Sequence, residues 1–189
     1  MNLAALGELL ECLPSYQRLR QDLECPVAHA RTQVLANASP YMLANLWNSL
    51  KVPALVVTPR PEDARNLHDQ MMLWSAPGAE VLHFPETEVL PFERQVSDVN
   101  TTYERLRVLT ALRTAENRLP IVIASAAAVA QRTIDSRTFS SLTHVLSRGD
   151  TIDMEHLLDR WRRMGYQFEP TVYAPGFASR RGGILDIFP

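Results

Sequence analysis

The chain has 189 residues, 46% of them hydrophobic, and its 19 basic and 21 acidic side chains leave a formal charge of -2. A balance so near neutral excludes a whole-chain field that draws in nucleic acid or an anionic membrane, and confines any such contact to a local patch. Cys12 and Cys25 form neither a CxxC site nor a disulfide framework, the longest apolar runs are about half of a membrane span, and no basic-then-apolar leader opens the chain, so the expectation is a soluble, cytoplasmic protein.

In chain order, Leu3, Leu6 and Leu10 mark a first amphipathic helix, and Tyr16, Leu19 and Leu23 after Pro14 mark a second; both are expected to cover an edge or face of a sheet. The stretch Ala30 to Leu50 reads as a buried strand over Val34, Leu35 and Ala36, a tight turn, and a helix with Ser39 as N-cap and Pro40 in its first position. Leu43, Leu46, Trp47 and Leu50 share one face of that helix. Ala54 to Thr58 is a continuous apolar strand of the kind buried in a parallel sheet. Pro61 starts a helix whose Ala64, Leu67, Met71 and Trp74 share a face. Pro77-Gly78 turns the chain into a strand at Val81 to Phe84, after which an irregular loop runs to about Asn100. Tyr103 to Ala115 is predicted helical, and Ile121 to Ala124 is another buried strand.

Strands alternating with helices of this length predict an α/β fold: a parallel sheet with helices on both faces. That rhythm stops between Thr133 and Arg137, which divides the chain into a first domain over residues 1–135 and the start of a small, incomplete α+β domain over 136–189. The second part is expected to hold a strand at His144 to Leu146, a turn at Arg148-Gly149-Asp150, and a helix from Asp153. That helix aligns Met154, Leu157, Leu158, Trp161 and Met164, and Gly165 closes it. Tyr166 to Tyr173 and Gly183 to Phe188 read as hairpin strands joined through Ala174-Pro175-Gly176. The strand-like run at the end suggests a piece of a longer protein.

In an α/β protein, nucleotide phosphates sit at the turn between the first strand and its helix. Here that turn is Asn37-Ala38-Ser39-Pro40, without the glycines whose backbone N–H groups wrap an anion and without the Lys-Ser/Thr pair that serves γ-phosphate and Mg²⁺. The expectation is a degenerate nucleotide loop with no cofactor. His29, His68, His83, His144 and His156 lack paired-ligand spacing, so no metal site is expected, and His83 reads as a packed strand residue. Ser125 has no nucleophile-elbow glycines and reads as a helix cap. Glu86, Glu88 and Glu93 read as solvated loop carboxylates. Arg160, Arg162 and Arg163 suit the solvated face of a helix or, alternatively, a DNA-binding patch. Arg180 and Arg181 are adjacent in a strand, so they point to opposite faces and at least one is outward.

Phe84-Pro85, Glu88, Leu90-Pro91-Phe92-Glu93, then Glu104-Arg105-Leu106 and Leu109, followed by Gly165-Tyr166, Pro175-Gly176 and Arg181-Gly182-Gly183-Ile184-Leu185-Asp186-Ile187-Phe188-Pro189, form an ordered set over residues 30 to 189. This set resembles the UvrB-like N-terminal module of bacterial transcription-repair coupling factor, Mfd. UvrB shares these segments but carries a working phosphate loop, and the Asn37 to Pro40 turn favours the Mfd type. The resemblance implies a RecA-like domain followed by a domain that docks on UvrA, with the ATP-driven motor and the contacts to RNA polymerase and DNA lying elsewhere in the full protein. It implies a non-catalytic adaptor; a UvrB-like ATPase or helicase fragment is the rival reading. It also assigns the UvrA contact to Arg181, with Arg180 as neighbour and Phe168 as a further contact. At the tyrosine turn, where UvrB has an arginine, this chain has Gln167 and then Phe168, and Ser179 replaces a further arginine.

Overall fold

The computed structural model describes residues 3–25, 29–87, 99–114 and 120–189. The chain divides into two compact units, one of residues 1–88 and 104–130, the other of 89–103 and 131–189.

The first unit is built on three parallel strands: β1 (Ala54–Thr58), β2 (Val81–Phe84) and β3 (Ile121–Ser125), in the order β1-β3-β2. Its helices are α1 (Glu8–Glu11), α2 (Pro14–Leu23), α3 (Ser39–Leu50), α4 (Pro61–Trp74), the part of α5 (Val99–Arg113) from Glu104 onward, and α6 (Ala126–Ala130). All five residues of β3 are buried because it is the central strand, hydrogen-bonded on both edges and covered on both faces. Side-chain alternation sorts the core into two layers. Val81, Ile121 and Ile123 meet Ala44 and Trp47 of α3 and Ala64 and Met71 of α4. Leu82, Phe84, Val122 and Ala124 meet Val108 and Ala111 of α5 and Ala128 of α6. The crossover from β1 to β2 and the return to β3 run in opposite directions along the sheet, and right-handed connections then require α4 and α5 on opposite faces. The expected α/β architecture is thus present.

Two expectations near the start are overturned. Residues 31–35 are not a strand: no ladder pairs them among the described residues, and Leu35 is 82% exposed. A three-residue apolar run lacks the length to bury itself without a partner. Ser39 is also not the N-cap. A 3-10 turn over Ala36–Ala38 runs straight into α3, so the backbone is already helical at Ala38, and the Ser39 hydroxyl reaches back to the Leu35 carbonyl at 3.4 Å. Pro40 does sit in the first turn of α3, and it is buried. The N-terminal segment packs on α3 rather than on the sheet: Asn45 Nδ2 donates to the Gly7 carbonyl at 3.1 Å, and Tyr41 donates to the Leu6 carbonyl. Its first part, Ala4–Gly7, is 3-10 helix leading into α1.

The second unit holds α7 (Ser136–Leu142), α8 (Met154–Arg163) and a three-stranded sheet of β4 (Gln167–Phe168), β5 (Phe177–Arg181) and β6 (Ile184–Ile187). Asp153 caps α8 by accepting from His156 N–H at 3.1 Å. Leu157, Leu158 and Trp161 are buried, and Leu157 and Trp161 pack on Ala178 of β5. Gly165, at φ +96°, ends the helix: its N–H bonds to the Arg162 carbonyl and the Tyr166 N–H to the Trp161 carbonyl, the paired pattern of a Schellman closure. The Tyr166 ring then lies 6.0 Å from the Trp161 ring, completing that closure with an aromatic contact.

Here too the structure corrects the sequence reading. Among the described residues His144 to Leu146 pair with no strand; on either side of them the Thr143 carbonyl accepts from Arg160 at 3.3 Å and the Ser147 N–H bonds to the Asp150 carboxylate at 2.7 Å, so side chains hold the backbone groups that flank this run. The hairpin is β5 with β6, turned through Gly182-Gly183 with Arg181 opposite Ile184, not Tyr166–Tyr173 with Gly183–Phe188. Pro170 has no N–H to extend β4, which runs parallel to β5 over two residues.

Candidate functional site

At the Asn37 to Pro40 turn, the 3-10 backbone directs its hydrogen bonds inward: the Ala38 N–H goes to Leu35 and the Ser39 N–H to Ala36. Pro40 has no donor to add. With no lysine in the turn, this end of α3 has neither the flexible backbone nor the cation that a triphosphate cradle uses.

The carboxyl ends of β2 and β3 are where an α/β sheet ordinarily offers its ligand site. Ser125 accepts from Ala128 N–H at 3.0 Å, capping α6 as expected, and its hydroxyl lies 3.5 Å from the Glu86 carboxylate. Glu86 is therefore tied to a cap and places negative charge beside that helix start. Glu88 and Glu93 lie outside the described residues, as do Leu90, Pro91 and Phe92. Nearby, Arg105 is only 8% exposed, with its guanidinium carbon 4.0 Å above the centre of the Phe84 ring and Nη1 donating to the Pro85 carbonyl at 2.6 Å. Burial pulls its pKa below the ordinary arginine value. Two motif pieces distant in sequence, Phe84-Pro85 and Glu104-Arg105, thus meet as one clamp. Glu104 completes it by pairing with His83 at 3.2 Å, which makes His83 a packed strand residue with a partner. Among the described residues no group of three His, Cys, Asp or Glu side chains is placed to hold a metal.

In the second unit three arginines stay at the surface, each beside an acidic residue. Arg162 pairs with Asp159 at 3.0 Å, and its guanidinium lies 5.0 Å over the Phe168 ring. Arg180 pairs with Glu155 of α8 at 2.7 Å, whereas Arg181 pairs with Asp186 of β6. Arg181 is 69% exposed at its side chain, the most open of the three. Phe168 is half-buried and packs against the Leu157, Trp161 and Ala178 cluster. Arg160 is drawn toward the Thr143 carbonyl along a shallow depression of about 330 Å³ that His144, Asp150 and His156 also line. The structure therefore separates Arg180, turned to α8, from Arg181, turned to the opposite side of the sheet.

No family model matches the chain. Among characterised proteins it is similar to a transcription-repair-coupling factor of Myxococcus xanthus, 31% identical over 164 residues, covering 84% of the chain and 14% of that protein. It is also 29% identical over 144 residues to the Bacillus subtilis (strain 168) transcription-repair-coupling factor, covering 76% of the chain and 12% of that protein. A UvrABC system protein B of Thermosipho africanus is 24% identical over 168 residues, covering 82% of the chain and 25% of that protein. The chain is homologous to transcription-repair-coupling factor and to UvrB.

The homology places this UvrB-like module among proteins of DNA repair, and it spans an eighth to a quarter of the length of these relatives. Among its described residues no helix is long and apolar enough to cross a membrane. Sequence reasoning about the module named Arg180, Arg181 and Phe168 but passed over two exposed side chains at the two ends of β5. Tyr173 stacks on Phe177 at 4.5 Å between ring centres, and Ile184, 61% exposed, stands directly opposite Arg181. The signal was present as Arg-Arg-Gly-Gly-Ile-Leu: a two-residue glycine turn between β-prone residues pairs the residues flanking it.

Proposed function

We propose that this chain is a non-catalytic adaptor module that docks the excision-repair protein UvrA, while contacts to RNA polymerase and DNA belong to other parts of a longer cytoplasmic protein. The domain boundary near residue 135 separates a scaffold domain from the docking domain in this reading. The observation that carries it is Arg181: an exposed arginine on a short, glycine-turned hairpin, within the motif on which the resemblance rests. Arginine presents a rigid fork of donors that grips a carboxylate bidentately, which makes it a favoured interface anchor. The turn at Asn37 to Pro40 supports the non-catalytic half, because nothing in it replaces the missing lysine and glycines. Arg180 is the secondary contact, held back by Glu155, and Phe168 supports the surface from beneath Arg162.

The similarity to UvrB favours the rival, a nucleotide-hydrolysing fragment, and calorimetry with Mg-ATP separates the two. The adaptor reading expects no heat above dilution, and a dissociation constant in the micromolar range overturns it. For the docking half, titration of UvrA against Arg181→Ala is expected to show a loss of about 2 kcal/mol, roughly thirtyfold in affinity. Arg181→Lys keeps the charge but not the fork, so it is also expected to weaken binding. Wild-type affinity in both folded variants removes Arg181 from the contact.

A further inference from the structure

We propose that His68 and His83 form a site for a divalent transition-metal ion of the zinc class on the outer edge of the first unit's sheet. His83 lies on β2, an outer strand, and shares its strand parity with Val81, which packs toward α4. His68 lies on α4, four residues after the buried Ala64 and three before the buried Met71, so it shares their inward face. The fold thereby joins two rings that are fifteen residues apart in sequence, with 5.8 Å between their centres and 46° between their planes. An ion about 2.0–2.1 Å from one nitrogen of each ring sets the ring centres roughly 5–6 Å apart. The pair is spaced as such an ion would space it.

The carboxylates around the rings select the nitrogens. Glu104 of α5 lies 3.2 Å from Nδ1 of His83, and Asp69 lies 3.1 Å from Nδ1 of His68. A carboxylate at Nδ1 takes the ring N–H there, which leaves Nε2 of the neutral ring with a free lone pair. Both histidines thus have the outer carboxylate that metal-bound histidines ordinarily have, and both turn the same nitrogen over to an ion. Their side chains are 25% and 13% exposed, so packing holds the rings while solvent still reaches them. No third protein ligand joins them among the described residues, so water completes the coordination. The site is therefore open and exchangeable, unlike the closed four-ligand sites of structural zinc. Imidazole suits Zn²⁺, Cu²⁺ and Ni²⁺, whereas Mg²⁺ and Ca²⁺ take oxygen ligands. A bound ion fastens α4 to β2 at an edge that no further strand holds among the described residues.

The test is calorimetry of Zn²⁺ into the untagged full chain at about pH 7.5, where imidazole is neutral. The background carries Cys12→Ser and Cys25→Ser, because both thiols are exposed and thiolates take the same ion. The background chain is expected to bind about one Zn²⁺ with a dissociation constant in the micromolar range. His68→Ala and His83→Ala are each expected to weaken binding at least tenfold, and Glu104→Gln about tenfold through the lost outer carboxylate. Zinc is also expected to raise the urea midpoint of the background chain and not that of His68→Ala, an effect that mere packing of the two rings does not produce. Circular dichroism confirms that each variant folds, and His68→Ala, on the helix surface, decides the matter if His83→Ala does not. Absence of zinc binding by the background chain, or binding that His68→Ala leaves unchanged, overturns the proposal. Binding abolished instead by His144→Ala or His156→Ala, which line the depression beside α8, moves the ion to the second unit and also overturns it.

Discussion

The two units use charge in opposite ways. In the first, charged residues serve the packing of the unit: Arg105 is buried over Phe84, Glu104 holds His83, and Glu86 is tied to the cap of α6. In the second, Arg162, Arg180 and Arg181 remain at the surface, each paired with an acidic side chain that a partner's carboxylate can rival. Motif residues in the first unit therefore maintain a fold, and those in the second are available for recognition. A buried arginine and an exposed one are the same residue type with different duties, and exposure decides which.

The sharpest way to test that contrast is to remove the anchor beneath the exposed arginines. Trp161→Ala empties a site that is 4% exposed, and such truncations cost about 3–5 kcal/mol. The second unit is expected to unfold in a urea titration followed by circular dichroism, with the transition of the first unit kept. A single unshifted transition would break the contrast. Next in size is Arg105→Ala, which strips the ring contact and leaves the half-buried Pro85 carbonyl without this donor, at a cost of about 1–3 kcal/mol. Its urea midpoint is expected to fall, whereas Arg181→Ala shifts the midpoint by no more than about 0.5 kcal/mol in equivalent stability, as surface changes do. Equal shifts would erase the distinction between inward and outward arginines. Ser125→Ala is expected to cost about 1 kcal/mol through the lost cap, read from the same titration.

The smallest effect is a pH dependence of the second unit. Burial raises the pKa of the Tyr166 phenol above its ordinary value. The folded state therefore prefers the protonated phenol, and its contribution is fully present below the ordinary tyrosine pKa of about 10 and fades as pH rises through the folded value. Denaturation at pH 8 and pH 11 is expected to show the second unit weaker at the higher pH, and Tyr166→Phe is expected to reduce that difference. No reduction would detach the effect from Tyr166.

Legibility from sequence followed the physics of each segment. The strands β2 and β3 were readable because buried parallel strands are continuous apolar runs, and α4 and α8 because their apolar residues recur with the helical period; β1 gave the same signal, but as an outer strand it leaves Leu55 58% and Val57 50% exposed, which corrects its expected burial. Val34 to Ala36 and His144 to Leu146 misled for the converse reason: a short apolar run has the composition of a strand, and only a pairing partner makes it one. The hairpin was placed on the wrong glycine-containing turn, since Pro175-Gly176 and Gly182-Gly183 are both turn signals and parity alone does not choose between them. At the candidate site, Arg181 was legible through its motif, while its exposed neighbour Ile184 was not, because the two stand opposite each other only once β5 and β6 are in register.

The central position of β3 also sets an order of events. Ala54 of β1 has as its ladder partner Ile121, and Val81 of β2 has the same one, so neither outer strand pairs until the chain between them and β3 is in place. Until then β1 has no ladder partner, and non-local pairing of this kind slows folding and leaves strand edges open to wrong partners. The second unit needs no such wait, since its two-residue turn joins β5 directly to β6. During synthesis, the scaffold is thus the part of this chain that depends most on being shielded until its last strand arrives.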